Sequence, residues 1–163
     1  MSIVQSLIEE IQGERESTKQ HLTRIPADKF DWKPHEKSMS IKALSAHIAE
    51  ISGLPGLIIK TDEVDLADGN KKPEIRTADD LVKFFEENTD QTIEALQSAK
   101  DEDLKKVWKM RHEDHVIMEM PKGDALRMMG MSHLYHHRGQ LGVYLRILDI
   151  PVPSTYGPSA DES

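Results

Sequence analysis

Apolar residues recur at helical spacing over most of this chain, and four stretches carry the pattern. In the first, Val4, Leu7, Ile8, Ile11, Leu22 and Ile25 form one stripe that Pro26 ends, with His21 at its edge. A second helix starts near Ser38 or Ser40, either of which can cap it, and turns Ile41, Leu44, Ile48 and Ile51 inward. At Gly53, Pro55 and Gly56 it either kinks or stops, and apolar residues continuing through Ile59 favour the kink. Residues 61–76, rich in Asp, Gly and Lys, read as a long loop. Thr77 with Asp80 three residues later marks a third helix start. Leu81, Phe84, Phe85, Ala95, Leu96 and Ala99 then share a face with Asn88 and Thr92, polar groups that need partners or a wet cavity. Between Val107 and Met120, a polar run from Arg111 to His115 is flanked by Trp108, Met110, Val116, Met118 and Met120, which predicts a short hairpin or extended excursion. The last helix runs from about Lys122 to Asp149, where Pro151 and Pro153 end it.

Four long helical patterns joined by connections of mixed length define an all-α, four-helix bundle with a short excursion before the last helix. We expect one domain over residues 1–153 and an extended tail over 154–163, since 163 residues suffice for one proper core. With 21 basic and 29 acidic residues the formal charge is −8, which argues against nucleic acid and anionic membranes as partners. No apolar run approaches the roughly 20 residues of a spanning helix. The first residues lack a signal-peptide pattern, so a cytoplasmic location is expected. Cysteine is absent, which removes disulfides, thiolate ligands and a cysteine nucleophile belonging to the chain. Eight histidines and eight methionines are the unusual entries in the composition.

Two of those histidines carry the chemistry. On a wheel of about 100° per residue centred on His133, His137 lies at about +40°, Gln140 at about −20° and Tyr144 at about +20°. Leu126, Met129, Gly130, Leu141, Ile147 and Leu148 fall on the same inward face, whereas Tyr135, Arg138 and Gly142 point away. Histidines at i and i+4 on one helical face can hold a divalent ion. His47, between Leu44 and Ile51, leans inward from the second helix and offers a third imidazole. Three neutral imidazoles leave an open position on an ion, the arrangement of a catalytic site. The competing interpretation is that these are histidines of an ordinary core, although burying two imidazoles and an amide without partners is costly.

The run His133-Leu134-Tyr135-His136-His137-Arg138-Gly139-Gln140-Leu141, followed by Tyr144-Leu145-Arg146 and Ile150-Pro151-Val152-Pro153, resembles the closing helix of the DinB superfamily. Trp32-Lys33-Pro34, the serines at 38 and 40, Leu44 and His47 are similar to the start of that family's second helix, and residues 156–162 resemble a tail seen in some members. The resemblance spans almost the whole chain and is weakest over residues 61–120. It implies a metal-binding four-helix bundle in which His47, His133 and His137 hold a divalent ion, commonly nickel or zinc, and which forms a homodimer. It also implies a small-molecule substrate. Some relatives are S-transferases or isomerases that use low-molecular-weight thiols such as bacillithiol or mycothiol. The expected function is thus a metal-dependent enzyme, a thiol-dependent S-transferase or a hydrolase of small electrophiles. The alternative is a non-catalytic metal-binding stress-response protein.

Other residues fill out the expectation. Gln140 can orient a ligand as outer-shell groups do, and Glu50, one turn beyond His47, can serve as a base or further ligand. His136 is an alternative to His137. His112 and His115 sit among charges at a turn, and His21 and His35 are read as surface. Met128, Met129 and Met131 are read as packing, and Gly139 and Gly142 suit a dimer contact on the outward face.

Overall fold

The computed structural model describes residues 2–69 and 73–162. Helix α1, Ile3–Thr23, is capped by Ser2, whose hydroxyl accepts from Gln5 N at 3.1 Å, and by Asp101, whose carboxylate accepts from Ile3 N and Val4 N at 3.0 Å each. Helix α2, Ile41–Ile51, starts from Ser40, which accepts from Ala43 N at 3.2 Å. Ser52 and Gly53 separate α2 from α3, Leu54–Lys60, so of the two expected alternatives the helix stops and a new one starts. Thr92 fills that break. Its hydroxyl donates to Ser52 O at 2.7 Å and accepts from Gly56 N at 3.2 Å. A Cβ on Gly56 would stand 2.8 Å from the Thr92 Cα, so only glycine lets α3 come this close to the third long helix. That helix, α4, Ala78–Gln97, begins with the capping box that Thr77 and Asp80 predict.

The final helical stretch has three parts: α5, Lys122–Ala125; a π-helical segment, Leu126–Ser132; and α6, His133–Ile147. Helices α1, α2, α3 and α4 pack together, with α6 against α2 and the π-helical segment against α3. One apolar cluster joins α2, α4 and α6 to the end of α1 through Leu22, Ile48, Leu81, Phe85 and Leu141. A second, around Leu7, Ile58, Leu96, Trp108 and Leu126, holds the other half of α1 against α3, α4 and a small sheet.

That sheet goes beyond the expected all-α bundle with one short extended or hairpin excursion. The predicted excursion is a hairpin of β2, Val107–His112, and β3, His115–Pro121, with a register shift at Met110/Arg111. A third strand, β1, Glu63–Asp65, pairs parallel with β2 inside the stretch read as loop. Arg111, ion-paired with both Glu63 and Asp65, fastens β1 in place. The fold is therefore mostly helical with a three-stranded sheet in the order β1-β2-β3. Residues 154–162 fold back on α1 and α6. Glu162 pairs with Arg24, and Asp161 pairs with Arg146 at 2.6 Å while accepting from Val152 N at 2.8 Å.

Three surface assignments are also corrected. His21 is buried, its Nδ1 donating to Ser17 O at 2.8 Å. Arg138, assigned to the outward face of the last helix, is only 3 % exposed because α1 and the tail cover that face. Its Nη1 lies 2.6 Å from Glu14 Oε2 and donates to Thr18 Oγ1 at 3.0 Å, while Nη2 donates to the Tyr156 hydroxyl at 2.8 Å. Gly142, on the same covered face, packs towards Val152 and His21. Conversely, Ile147, read as inward, is 55 % exposed.

Candidate metal centre

His133 and His137 are one helical turn apart on α6 and face His47 of α2. His47 lies beside the buried Leu44–Ile48–Ile51 stripe, at its margin rather than in it, so its ring turns towards the α2–α6 seam. The three rings converge. Their centroids are separated by 5.0 Å (His47–His133), 4.9 Å (His47–His137) and 4.6 Å (His133–His137). One nitrogen from each ring lies within 4.8 Å of the other two, and no other His, Asp or Glu joins the group among the described residues.

The hydrogen bonds at the rings' outer nitrogens decide what the inner nitrogens can do. His137 Nδ1 is 2.7 Å from Gln140 Oε1, and His133 Nδ1 is 3.3 Å from the carbonyl oxygen of Met129. Both partners are acceptors, so each Nδ1 carries the proton and each Nε2 presents a lone pair. Those two Nε2 atoms are only 2.9 Å apart. Two facing lone pairs repel unless a cation lies between them. Imidazole nitrogens bound to one divalent ion at adjacent positions are about 2.9–3.4 Å apart, given bonds of about 2.0–2.1 Å. The donor set therefore fits a late divalent ion, which nitrogen donors favour.

Their surroundings favour the neutral form of His133 and of His137. Burial lowers the pKa of His133, and the nearby His47 and His136 lower it further against the opposing effect of the Met129 carbonyl. Burial likewise lowers that of His137, with His133 and His136 acting in the same direction and the Gln140 hydrogen bond opposing. A ligand must be deprotonated to bind a metal, so both shifts favour binding.

The remaining candidates separate clearly. Gln140 stands where its amide fixes the His137 tautomer. Glu50 Oε2 is 3.7 Å from His47 Nδ1 and lines the space beside the cluster without entering it. His136 is exposed and stacks edge-on against His137, outside the cluster. His35, His112 and His115 are exposed and take no part in it. Asn88 lines the adjoining space and donates to Ala49 O at 2.9 Å, whereas Thr92 is consumed by the α2–α3 break.

A chamber of about 600 Å³ adjoins His47 and His133. Its apolar wall includes Leu54, Phe84, Trp108, Met110 and Met129, none of which the sequence had marked as belonging to a site. A signal did exist: Trp108 and Met110 alternate on β2 and so face one side of the sheet. The π-helical segment brings the ligands to this chamber. Gly130 lies so close to Pro55 that an added Cβ would be 2.5 Å from the proline Cγ, which seats the segment on α3 immediately before His133.

The profile of the DinB family matches residues 1–163, and the chain belongs to that family. It is 30% identical over 132 residues to the uncharacterized protein YjoA of Bacillus subtilis strain 168, covering 81% of this chain and 82% of YjoA. The crystal structure of YjoA, a DinB-like protein, matches with a TM-score of 0.71 and 25% identity over 97% of this chain and 99% of that one. A DinB-like protein from Bacillus cereus ATCC 10987 shares the fold, with a TM-score of 0.72 at 22% identity over 95% of this chain and 98% of that one. No helix among the described residues is long and apolar enough to cross a membrane.

Proposed function

We propose that His47, His133 and His137 hold one divalent ion, nickel or zinc, and that the protein is an enzyme acting on a small molecule admitted through the adjoining chamber. The observation that carries this reading is the open side of the cluster. A structural ion is closed in by four protein donors, whereas three imidazoles, two of which (His47 and His133) border a chamber of about 600 Å³, leave room for a substrate. When bound, the ion lowers the pKa of a thiol or water that reaches it, supplying a nucleophile near neutral pH.

The chain's own residues do the rest. Gln140 and the Met129 carbonyl hold the proton on Nδ1 of His137 and His133, leaving Nε2 of each ring as the donor. Phe84, Trp108 and Met110 exclude water from one side of the reacting group. Glu50 is the acidic group lining the chamber among the described residues and the candidate base, with Oε2 3.7 Å from His47 Nδ1. The chain has no cysteine, so thiol transfer requires a low-molecular-weight thiol as cosubstrate. Attack of that thiol on a small electrophile is the favoured reaction, and hydrolysis is the variant that uses water. The protein acts as a homodimer in this reading, supported by the exposed Val143 and Ile147 on α6 beside Gly139.

Elemental analysis after loading with nickel or zinc and dialysis tests the first step. About one ion per chain is expected in the wild type, and near zero in His47→Ala and His137→Ala. Added metal should also raise the melting temperature, because the ion binds the folded state. Assays pairing assorted thiols with generic electrophiles test the second step. Metal binding with no turnover across a broad panel would favour the non-catalytic metal-binding protein.

A further inference from the structure

Residues 151–162 return from the end of α6 along its outer face towards α1, and three arginines hold them there. Arg24 Nη1 donates to Pro151 O at 2.7 Å, and Arg24 Nη2 pairs with Glu162. Arg146 pairs with Asp161 at 2.6 Å, and Arg138 Nη2 donates to the Tyr156 hydroxyl at 2.8 Å. Val152 is fixed from within the segment: Asp161 accepts from its N at 2.8 Å, and Ser159 donates to its O at 2.7 Å. The charges balance. Arg24, Arg138 and Arg146 each have one carboxylate, from Glu162, Glu14 and Asp161, and Tyr156 is a neutral phenol whose pKa is raised by burial.

His21 lies beneath this segment, 3 % exposed. Its Nδ1 donates to Ser17 O at 2.8 Å, so a second proton can only go to Nε2. That nitrogen and Val152 Cγ1 both border Gly142, 3.8 and 3.6 Å from the point where a Cβ would stand, and no described residue hydrogen-bonds to it. A proton at Nε2 creates a buried cation without an acceptor, and a fourth positive charge against three carboxylates. Helices α1 and α6 are locked into the core, whereas partly exposed ion pairs, which are weak fasteners, hold the segment above His21. We infer that residues 151–162 form an acid-released strap with His21 as its trigger: a proton at Nε2 lifts Val152 away from Gly142. The groove of about 480 Å³ beneath the strap, lined by His21, Gly142, Val143, Ile147 and Tyr156, then opens. Opening uncovers Gly142 beside the already exposed Val143 and Ile147, so acid enlarges the apolar face of α6.

The chain has no cysteine, so a nitroxide attached through Ala160→Cys in the full chain reports on the strap alone. Its mobility is followed by electron paramagnetic resonance from about pH 8 to about pH 5, where the strap's carboxylates stay ionised. Asp161 is held low by Arg146, and Glu162 by the Ser154 N–H and Arg24. The label should be immobile at the upper end, and the ratio of mobile to immobile spectra should rise by up to about tenfold per pH unit below the ordinary histidine value of 6.5. In His21→Gln the label should stay immobile throughout. In Glu162→Gln, with one carboxylate fewer against the arginines, the midpoint should move to higher pH. The rise should appear in metal-free and zinc-loaded protein alike, which separates it from titration of His47, His133 and His137. A label immobile at every pH, a rise that survives in His21→Gln, or one confined to a single metal state would overturn the proposal. So would an unmoved midpoint in Glu162→Gln, which decides alone if His21→Gln fails to fold.

Discussion

The two faces of α6 both carry polar groups and treat them in opposite ways. Towards α1, Arg138 is almost fully buried and its guanidinium is shared among Glu14, Thr18 and Tyr156, with the rings of Tyr135 and Tyr156 within 5.6 and 5.4 Å of its carbon. Towards α2, His133 and His137 have their outer nitrogens satisfied and their inner nitrogens facing each other across 2.9 Å. In the first network the charge of Arg138 is neutralised inside the fold, by Glu14 Oε2 at 2.6 Å. The second is satisfied only as far as orientation requires. Burial of polar groups thus has two meanings on one helix: a charge paired within the fold on one side, and two neutral donors aimed at one point on the other.

The largest effect should come from opening the closed face. Arg138→Ala leaves Glu14 without its partner and should cost about 3–5 kcal/mol of stability by denaturant titration. Metal content per folded chain should remain that of the wild type, because this face does not supply a ligand. A fall in metal content equal to that of His137→Ala would show that the two faces are not separable.

Gly130→Ala should come next. An added methyl against Pro55 forces the π-helical segment or α3 to shift, at about 1–3 kcal/mol. Since His133 follows that segment, metal affinity should fall with stability, which competition against a chelator would measure. Gln140→Ala should show the reverse pattern: little loss of stability, and about 10–100-fold weaker metal binding through loss of the Nδ1 partner of His137.

The smallest effect is a slope in pH. Burial lowers the pKa of His21, with Arg138 and Arg24 acting in the same direction, while the Ser17 carbonyl and Glu162 oppose. The folded chain therefore takes up this proton at lower pH than the unfolded chain does. Stability is full above the ordinary value of 6.5 and declines as pH falls from there towards the lower folded value. His21→Gln should flatten the melting temperature of metal-free protein over that window relative to wild type. An unchanged slope would place the titration elsewhere.

Much of this molecule is legible in the chain. Local signals with one physical meaning translated directly: the Thr77–Asp80 capping box, the Ser40 cap, and the i, i+4 histidines with His47 opposite. What could not be read depends on partners distant in sequence. Strand β1 has three residues, two of them acidic, and exists because β2 and Arg111 hold it. Arg138 looked like a surface residue because charge usually means solvent. The clue was on another helix, where Glu14 and Thr18 sit four apart and present their oxygens to it. The π-helical segment has no propensity signature, and contact between Gly130 and Pro55 across the α3 interface fixes it.

X-ray absorption spectroscopy of the zinc-loaded full chain tests the central claim most directly. The account predicts a first shell of nitrogen and oxygen only, with outer-shell scattering from three imidazoles, falling to two in His137→Ala if any zinc is retained. A shell containing sulfur from methionine, or one without imidazole scattering and unaltered by His137→Ala, would contradict it.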